Sequence, residues 1–223
     1  MNYLMVNQLK FKGILIVISS PSGAGKTSLA KSIVEENENI SFSTSVTTRP
    51  PRDGEKNGRE YHFVEKDQFN LMIKNKRFIE YAEVFGNYYG TPKDQIEKLL
   101  NDGKDIIFDV DWQGGTKIRN SYLSPLVVSV FILPPSIKTL HERLLNRNKD
   151  DEKTVKLRMK ESRSEISHWS EYEYIMINDN FEKVKKNIVK IIEIEKMRRN
   201  KQILLPDFIS KLNNEFEEFI SNS

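Results

Sequence analysis

The sequence predicts an α/β fold: a central parallel sheet flanked by helices. Three observations carry that expectation. Four short runs rich in Ile, Val and Phe lack alternation, as strands covered on both faces do. Helix-forming stretches lie between the runs. A glycine-rich turn separates the first run from the first helix.

In chain order, Ile14–Ile18 reads as the first strand and Ser28–Glu36 as the helix after it. Helix Lys93–Asn101 precedes the second strand, Ile106–Asp109, and helix Ser136–Leu145 follows the third, Val127–Leu133. The fourth strand is Tyr174–Ile177. Beyond it, Val184, Ile188, Ile191, Ile192 and Ile194 trace one helical stripe. Pro206 breaks the pattern before a last short helix around Phe208–Phe219, and both C-terminal helices are expected to pack against the sheet. Two regions stand outside the alternation. Residues 42–94, dense in aromatics, arginines and turn signals, read as an inserted subdomain. Residues 138–165, highly charged and helical around an "NRNKDDEK" turn, read as a mobile cover.

A length of 223 residues fits one large domain, or a core domain with insertions. The 35 basic and 32 acidic residues leave a net charge of +3, spread along the chain, so no nucleic-acid face is expected. The lack of cysteine excludes disulfides and thiolate metal sites. The apolar run "GILIVI" is too short to span a bilayer, and no small-residue cleavage site follows it. A cytoplasmic protein with no membrane partner is the expectation, and oligomeric state stays open.

The turn after the first strand is "SSPSGAGKTSL". Its end, Gly25-Lys26-Thr27, matches the phosphate-binding loop, although Ser20 stands where the usual pattern has glycine. Ser20, Pro21, Ser22, Gly23, Ala24, Gly25, Lys26 and Thr27 form the candidate nucleotide site. Glycines let backbone N–H groups turn inward around phosphate oxygens, and the helix N-terminus adds partial positive charge. Lys26 would reach the β- and γ-phosphates, and the Thr27 hydroxyl would ligate Mg²⁺. The plainer alternative is a glycine turn beside a surface lysine. The segment "DIIFDVD" offers Asp109 and Asp111 as metal-ordering carboxylates, two residues apart and so on one face.

What accepts the phosphate is a separate question. In "RPPR", Pro50 and Pro51 favour polyproline II geometry, which repeats every three residues. Arg49 and Arg52 then leave the same side, roughly 9 Å apart, and can converge on one phosphate. Tyr61 could add a phenolic hydroxyl; a solvated turn without ligand is the alternative. Farther on, "RFIEYAEVFGNYYGTP" sets Glu80 and Glu83 among aromatics. A carboxylate there suits guanine, whose N1–H and amino group it can accept together, whereas adenine would leave it unpaired. Ser45 and Thr91 are hydroxyls able to donate to the guanine O6.

The segments "SSPSGAGKTS", "SVTTRPPRDGEKNGREYHF", "FIEYAEVFGNYYGTP", "DIIFDVDWQGGTKIR", "FILPPS" and "EYEYIMINDNF" together resemble the guanylate kinase family, in that family's order, over about residues 14–200. The resemblance implies a P-loop NTPase fold with an inserted GMP-binding subdomain (42–94), a mobile helical lid (138–165) and a core of 11–41, 95–137 and 166–205. It sets residues 206–223 apart as a C-terminal helix. It implies reversible transfer of the ATP γ-phosphoryl group to GMP, with Mg²⁺ accompanying ATP. Arg49, Arg52, Tyr61 and Tyr89 correspond to groups that bind the GMP phosphate; Ser45, Glu80, Thr91 and Asp111 correspond to the guanine-recognising set. Lys26 corresponds to the P-loop lysine, Arg143, Arg147 and Arg158 to the lid arginines, and Asn178 to a position near the donor adenine. Asp109 is then the metal-ordering carboxylate, with Thr27. The catalytic set is Lys26, Arg49, Arg147 and Arg158. Gly115, where many relatives carry a larger residue, is expected to loosen the start of its helix.

Two rivals remain in view. A guanylate-kinase-like binding module would lack an intact phosphate loop, which this chain keeps. A kinase for another monophosphate would not need Glu80 beside the hydroxyls.

Overall fold

The structure is a computed structural model that describes residues 13–84, 86–146 and 152–221. Five strands form a fully parallel sheet in the order β2 (Ile40–Phe42), β7 (Asp105–Asp109), β1 (Leu15–Ser19), β8 (Val127–Leu133), β9 (Tyr174–Ile177). Four of them stand within a residue or so of the predicted runs. The fifth, β2, is only three residues long and escapes a periodicity search.

Alternation along β1 divides the core. Ile14, Ile16 and Ile18 face α1 (Lys26–Glu36) and, through Val184, Ile188 and Ile192, a later helix, α7 (Phe181–Lys196). Leu15 and Val17 face the opposite layer, where α3 (Lys93–Asn101) and α4 (Trp112–Arg119) supply Ile96, Leu100 and Ile118. Burial on both faces is why the run shows no period of two. Ile194 departs from the expected stripe: it is 60% exposed, because six residues past Ile188 the helix has turned by about 240°.

Residues 42–94 hold a second sheet, ordered β4 (His62–Phe63), β3 (Val46–Thr47), β6 (Asn87–Pro92), β5 (Phe78–Val84), with α2 (Lys66–Lys74) beside it. Phe69 of α2 stacks on Phe78 and Tyr88, with ring centroids 4.6 and 5.5 Å apart. The described residues of 138–165 fall on two helices, α5 (Ile137–Asn146) and α6 (Glu152–Ser167), joined by their own small core of Leu140, Leu144, Val155 and Met159.

Three expectations fail here. The last helix, α8, runs Leu205–Ser221 rather than about 208–219. Pro206 sits in its first turn, where a missing N–H costs nothing. Nor does α8 pack against the sheet, since none of its residues is buried. Gly115 does not loosen α4, whose first turn is capped by Asp111 accepting from the Gly114 N–H at 2.8 Å. A Cβ at Gly115 would lie 2.7 Å from the Tyr172 hydroxyl, so the close packing of α4 on the sheet leaves no room for a larger residue.

Candidate active site

The turn from β1 into α1 rests on left-handed glycines, Gly23 at φ 89° and Gly25 at φ 98°. A Cβ on Gly25 would also lie 2.6 Å from Asn178 Nδ2. Buried Asn178 donates from that amide to the Ala24 carbonyl at 2.8 Å. Arg143 of α5 donates to the Ala24 and Asn178 carbonyls at 3.3 and 3.2 Å. The loop is thus gripped from α5 and from the segment after β9. Ser20 is buried and turns its hydroxyl onto the Pro21 carbonyl at 2.9 Å, so the serine at the usual glycine position fits without strain.

Sheet register decides where the carboxylates stand. Ile18 pairs with Asp109, which puts Asp109 beside the start of the loop. Its Oδ1 lies 2.5 Å from Lys26 Nζ, and its Oδ2 accepts from the Thr27 hydroxyl at 2.6 Å. Lys26 also donates to the Val110 carbonyl at 2.8 Å. Asp111, two residues on, points to a different partner set. It caps α4 and raises the pKa of Glu80 by its charge, so the two aspartates serve opposite ends of the site.

Glu80 and Glu83 part company by strand alternation: three residues apart on β5, they occupy opposite faces. Glu83 is exposed, and Glu80 is buried. Burial pushes the Glu80 carboxyl up to about 7, with Asp111 adding to the shift and the Thr91 hydroxyl opposing it. That hydroxyl is fully buried and donates to Glu80 Oε1 at 2.7 Å. Its one proton therefore goes to the carboxylate in this structure, which makes Thr91 the group that orients Glu80.

The proline-rich loop is pinned where β3 and β4 pair, Val46 with His62 and Thr47 with Phe63. Arg49 and Arg52 line the same cavity of about 570 Å³, with Tyr61 and Tyr89. Arg49 stands 5.4 Å over the Tyr61 ring and 5.8 Å over Phe63. The Tyr61 hydroxyl is pushed up to about 12 by burial and by Asp109, so it remains a neutral donor. A second cavity of about 900 Å³ brings Ser45, Glu80 and Asp111 together with the phosphate loop, Arg143, Arg158 and Asn178. The two cavities share Thr27, Lys31, Arg52, Tyr61, Tyr89 and Asp109, so an acceptor phosphate and a donor phosphate would meet there. Arg147 lies outside the described residues.

Two carboxylates escape the sequence analysis. Glu55 takes both of its oxygens to Arg49 Nη2 at 2.9 Å and accepts the Arg52 N–H at 2.8 Å. Glu165 accepts the Ser22 N–H of the phosphate loop at 3.0 Å, and burial raises its pKa. The only available signals were weak: Glu55 lies three residues after Arg52, and Glu165 two helical turns after Arg158.

A glycine turn at the carboxyl end of a central parallel strand, buttressed by an aspartate from the neighbouring strand, defines the P-loop nucleotide-binding fold. The comparisons with known proteins narrow it. The guanylate kinase family model matches residues 12–195. A guanylate kinase of Cereibacter sphaeroides is 47% identical over 206 residues, 92% of this chain and 98% of that protein. One from Rickettsia felis is also 47% identical, over 84% of this chain and 97% of its own length. The crystal structure of guanylate kinase from Anaplasma phagocytophilum superposes with a TM-score of 0.75 at 36% identity, covering 90% of this chain and 95% of that one. The chain belongs to the guanylate kinase family.

Proposed function

We propose that this chain transfers the γ-phosphoryl group of ATP to GMP, giving ADP and GDP. The observation that carries it is Glu80: a buried carboxylate, oriented by Thr91 and close to Asp111, in one cavity with the phosphate loop. Guanine offers two adjacent N–H donors to such a group, and adenine offers an acceptor where the first of them would be. Ser45, in the same cavity as Glu80 and Asp111, can donate to the guanine O6.

The acceptor is already an anion, so the reaction needs no strong general base. It needs two polyanions held in line and water kept out. Arg49, Arg52, Tyr61 and Tyr89 hold the GMP phosphate. Lys26 leaves Asp109 for the β- and γ-oxygens of ATP, while Arg143 and Arg158 face the transferring group; the family resemblance gives Arg147, outside the described residues, the same role. Gly23 and Gly25 open backbone N–H groups to the phosphates, and Asn178 stands on the adenine side.

Thr27 and Asp109 fit Mg²⁺: a hydroxyl and a carboxylate 2.6 Å apart are hard oxygen donors of the kind this ion takes, its other positions going to water and phosphate. The ion would supply charge neutralisation between the β- and γ-phosphates. The working division is a core of 11–41, 95–137 and 166–205, a GMP subdomain of 42–94 and a lid of 138–165. Among the described residues no helix is long and apolar enough to cross a membrane; a cytoplasmic site of action fits the small-molecule substrates.

A coupled assay tests the reading. ADP formation from ATP is measured with GMP, AMP, UMP or CMP offered singly, and GMP is expected to be preferred by orders of magnitude. AMP accepted as readily as GMP would overturn the guanine assignment.

A further inference from the structure

Helix α6 puts Arg158 and Glu165 into the cavity that holds the phosphate loop. Seven residues apart, they differ by only about 20° around the helix and stand roughly 10 Å apart along it. The carboxyl end of α6 is fixed to the core. The 3₁₀ turn His168–Glu171 follows it directly, and the His168 ring stacks on Trp112 of α4 at 3.7 Å, with the planes 9° apart. Glu171 accepts from the Thr116 hydroxyl at 3.1 Å and from Arg119 Nη2 at 2.7 Å, both on α4. The amino-terminal half packs on α5 through Val155 and Met159.

Between the fixed end and Arg158 stands a bond to the nucleotide site, Glu165 Oε2 accepting the Ser22 N–H at 3.0 Å. A tilt of about 6° about that bond moves a point 10 Å farther along the helix by about 1 Å, and a misplacement of about 1 Å can cost a hundredfold in rate. The bond does not depend on charge. Burial works against the ionised form of Glu165, as do Asp111 and Glu161, with Lys26 on the other side. An N–H is accepted by a carboxylate, a carboxylic acid or an amide oxygen alike. Reach and direction are what this side chain supplies.

We propose that Glu165 is a positioning residue for phosphoryl transfer: by holding α6 to the phosphate loop at Ser22, it sets where Arg158 meets the transferring group. The inference rests on the kinase reading above and on the place of Arg158 in it.

Steady-state kinetics on the full chain, with ATP and GMP each varied, tests this. Wild-type turnover is measured first, and its absence would sink the kinase reading and this proposal together. Given that turnover, Glu165→Ala should lower kcat roughly ten- to a hundredfold at an unchanged KM for GMP. Glu165→Gln keeps an acceptor for the Ser22 N–H and should recover most of the loss. Arg158→Ala should lower kcat by itself, and Glu165→Ala added to it should cost little more, because the two act as a unit. A residue that merely supports the fold would give losses that multiply. An unchanged kcat in Glu165→Ala overturns the proposal and leaves the kinase reading standing. So does a Gln variant as impaired as the Ala one, or a double variant whose loss is the product of the two single losses.

Discussion

At the scale of single residues, Glu80 is the group most changed by its surroundings. In the folded chain it keeps its proton up to about pH 7, whereas an unfolded glutamate loses it near 4.5. Its contribution to stability is therefore fully present below about pH 4.5 and is lost as pH rises through about 7. Guanine needs the charged form, so GMP affinity should improve between about pH 6 and 8 with a midpoint near 7, read by calorimetric titration. Glu80→Gln should flatten that profile and narrow the preference for GMP over AMP. Arg49→Ala removes charge-assisted bonds of about 1.5–3 kcal/mol and should raise the KM for GMP roughly ten- to a hundredfold, with kcat less affected. An unchanged GMP affinity would remove Arg49 from the site. Lys26→Ala should lower kcat by about two to three orders of magnitude in the same assay. These side chains are legible in the sequence because each sits in a short motif whose local geometry fixes its direction. Glu55 and Glu165 are not legible in that way. Glu165 matters through a bond to Ser22, 143 positions away, which no local pattern encodes.

At the scale of elements, the phosphate turn and the start of α8 behave differently under substitution. Gly25→Ala forces a side chain into the left-handed region and onto Asn178, and should cost about 1–3 kcal/mol in urea unfolding while abolishing ATP binding. Lys201→Ala leaves Glu195, only 2% exposed in its side chain, short of a buried partner, and should cost about 3 kcal/mol in the same measurement. Four of the five parallel strands could be read nearly to the residue, because burial on both faces writes an unbroken apolar run. Helix α8 could be read as amphipathic, but its surroundings could not. An apolar face looks the same in sequence whether it is buried on the chain's own sheet or stands largely exposed. The short strands β3 and β4, two residues each, carry too little pattern to announce themselves.

For the whole molecule, the two cavities meet between the core, the second sheet and the α5–α6 pair, so both substrates bridge the same parts. Small-angle scattering should show a smaller radius of gyration with ATP analogue and GMP together than with neither. No compaction would mean that the lid and the GMP subdomain do not close. The second sheet and the α5–α6 pair fall on the two stretches that break the strand–helix alternation in the sequence. Where those parts meet is not legible there, since it depends on sheet order, which places β7 and its Asp109 next to β1 although some 90 residues separate them.

The pairing of Lys26 with Asp109 and of Arg49 with Glu55 has a kinetic corollary. Each cation already holds a counter-anion from its own chain, so an arriving phosphate must take part in an exchange rather than fill a bare positive hole. A lone sulfate or inorganic phosphate gains little from such a swap. A nucleotide that also seats its base recovers more than the displaced carboxylate gives up. The same exchange reduces the long-range pull of the site on anions, so substrate association should depend only weakly on ionic strength. Selectivity against the small anions of the cell is thereby set by the two carboxylates and the base site together, the first raising the threshold and the second letting a nucleotide cross it.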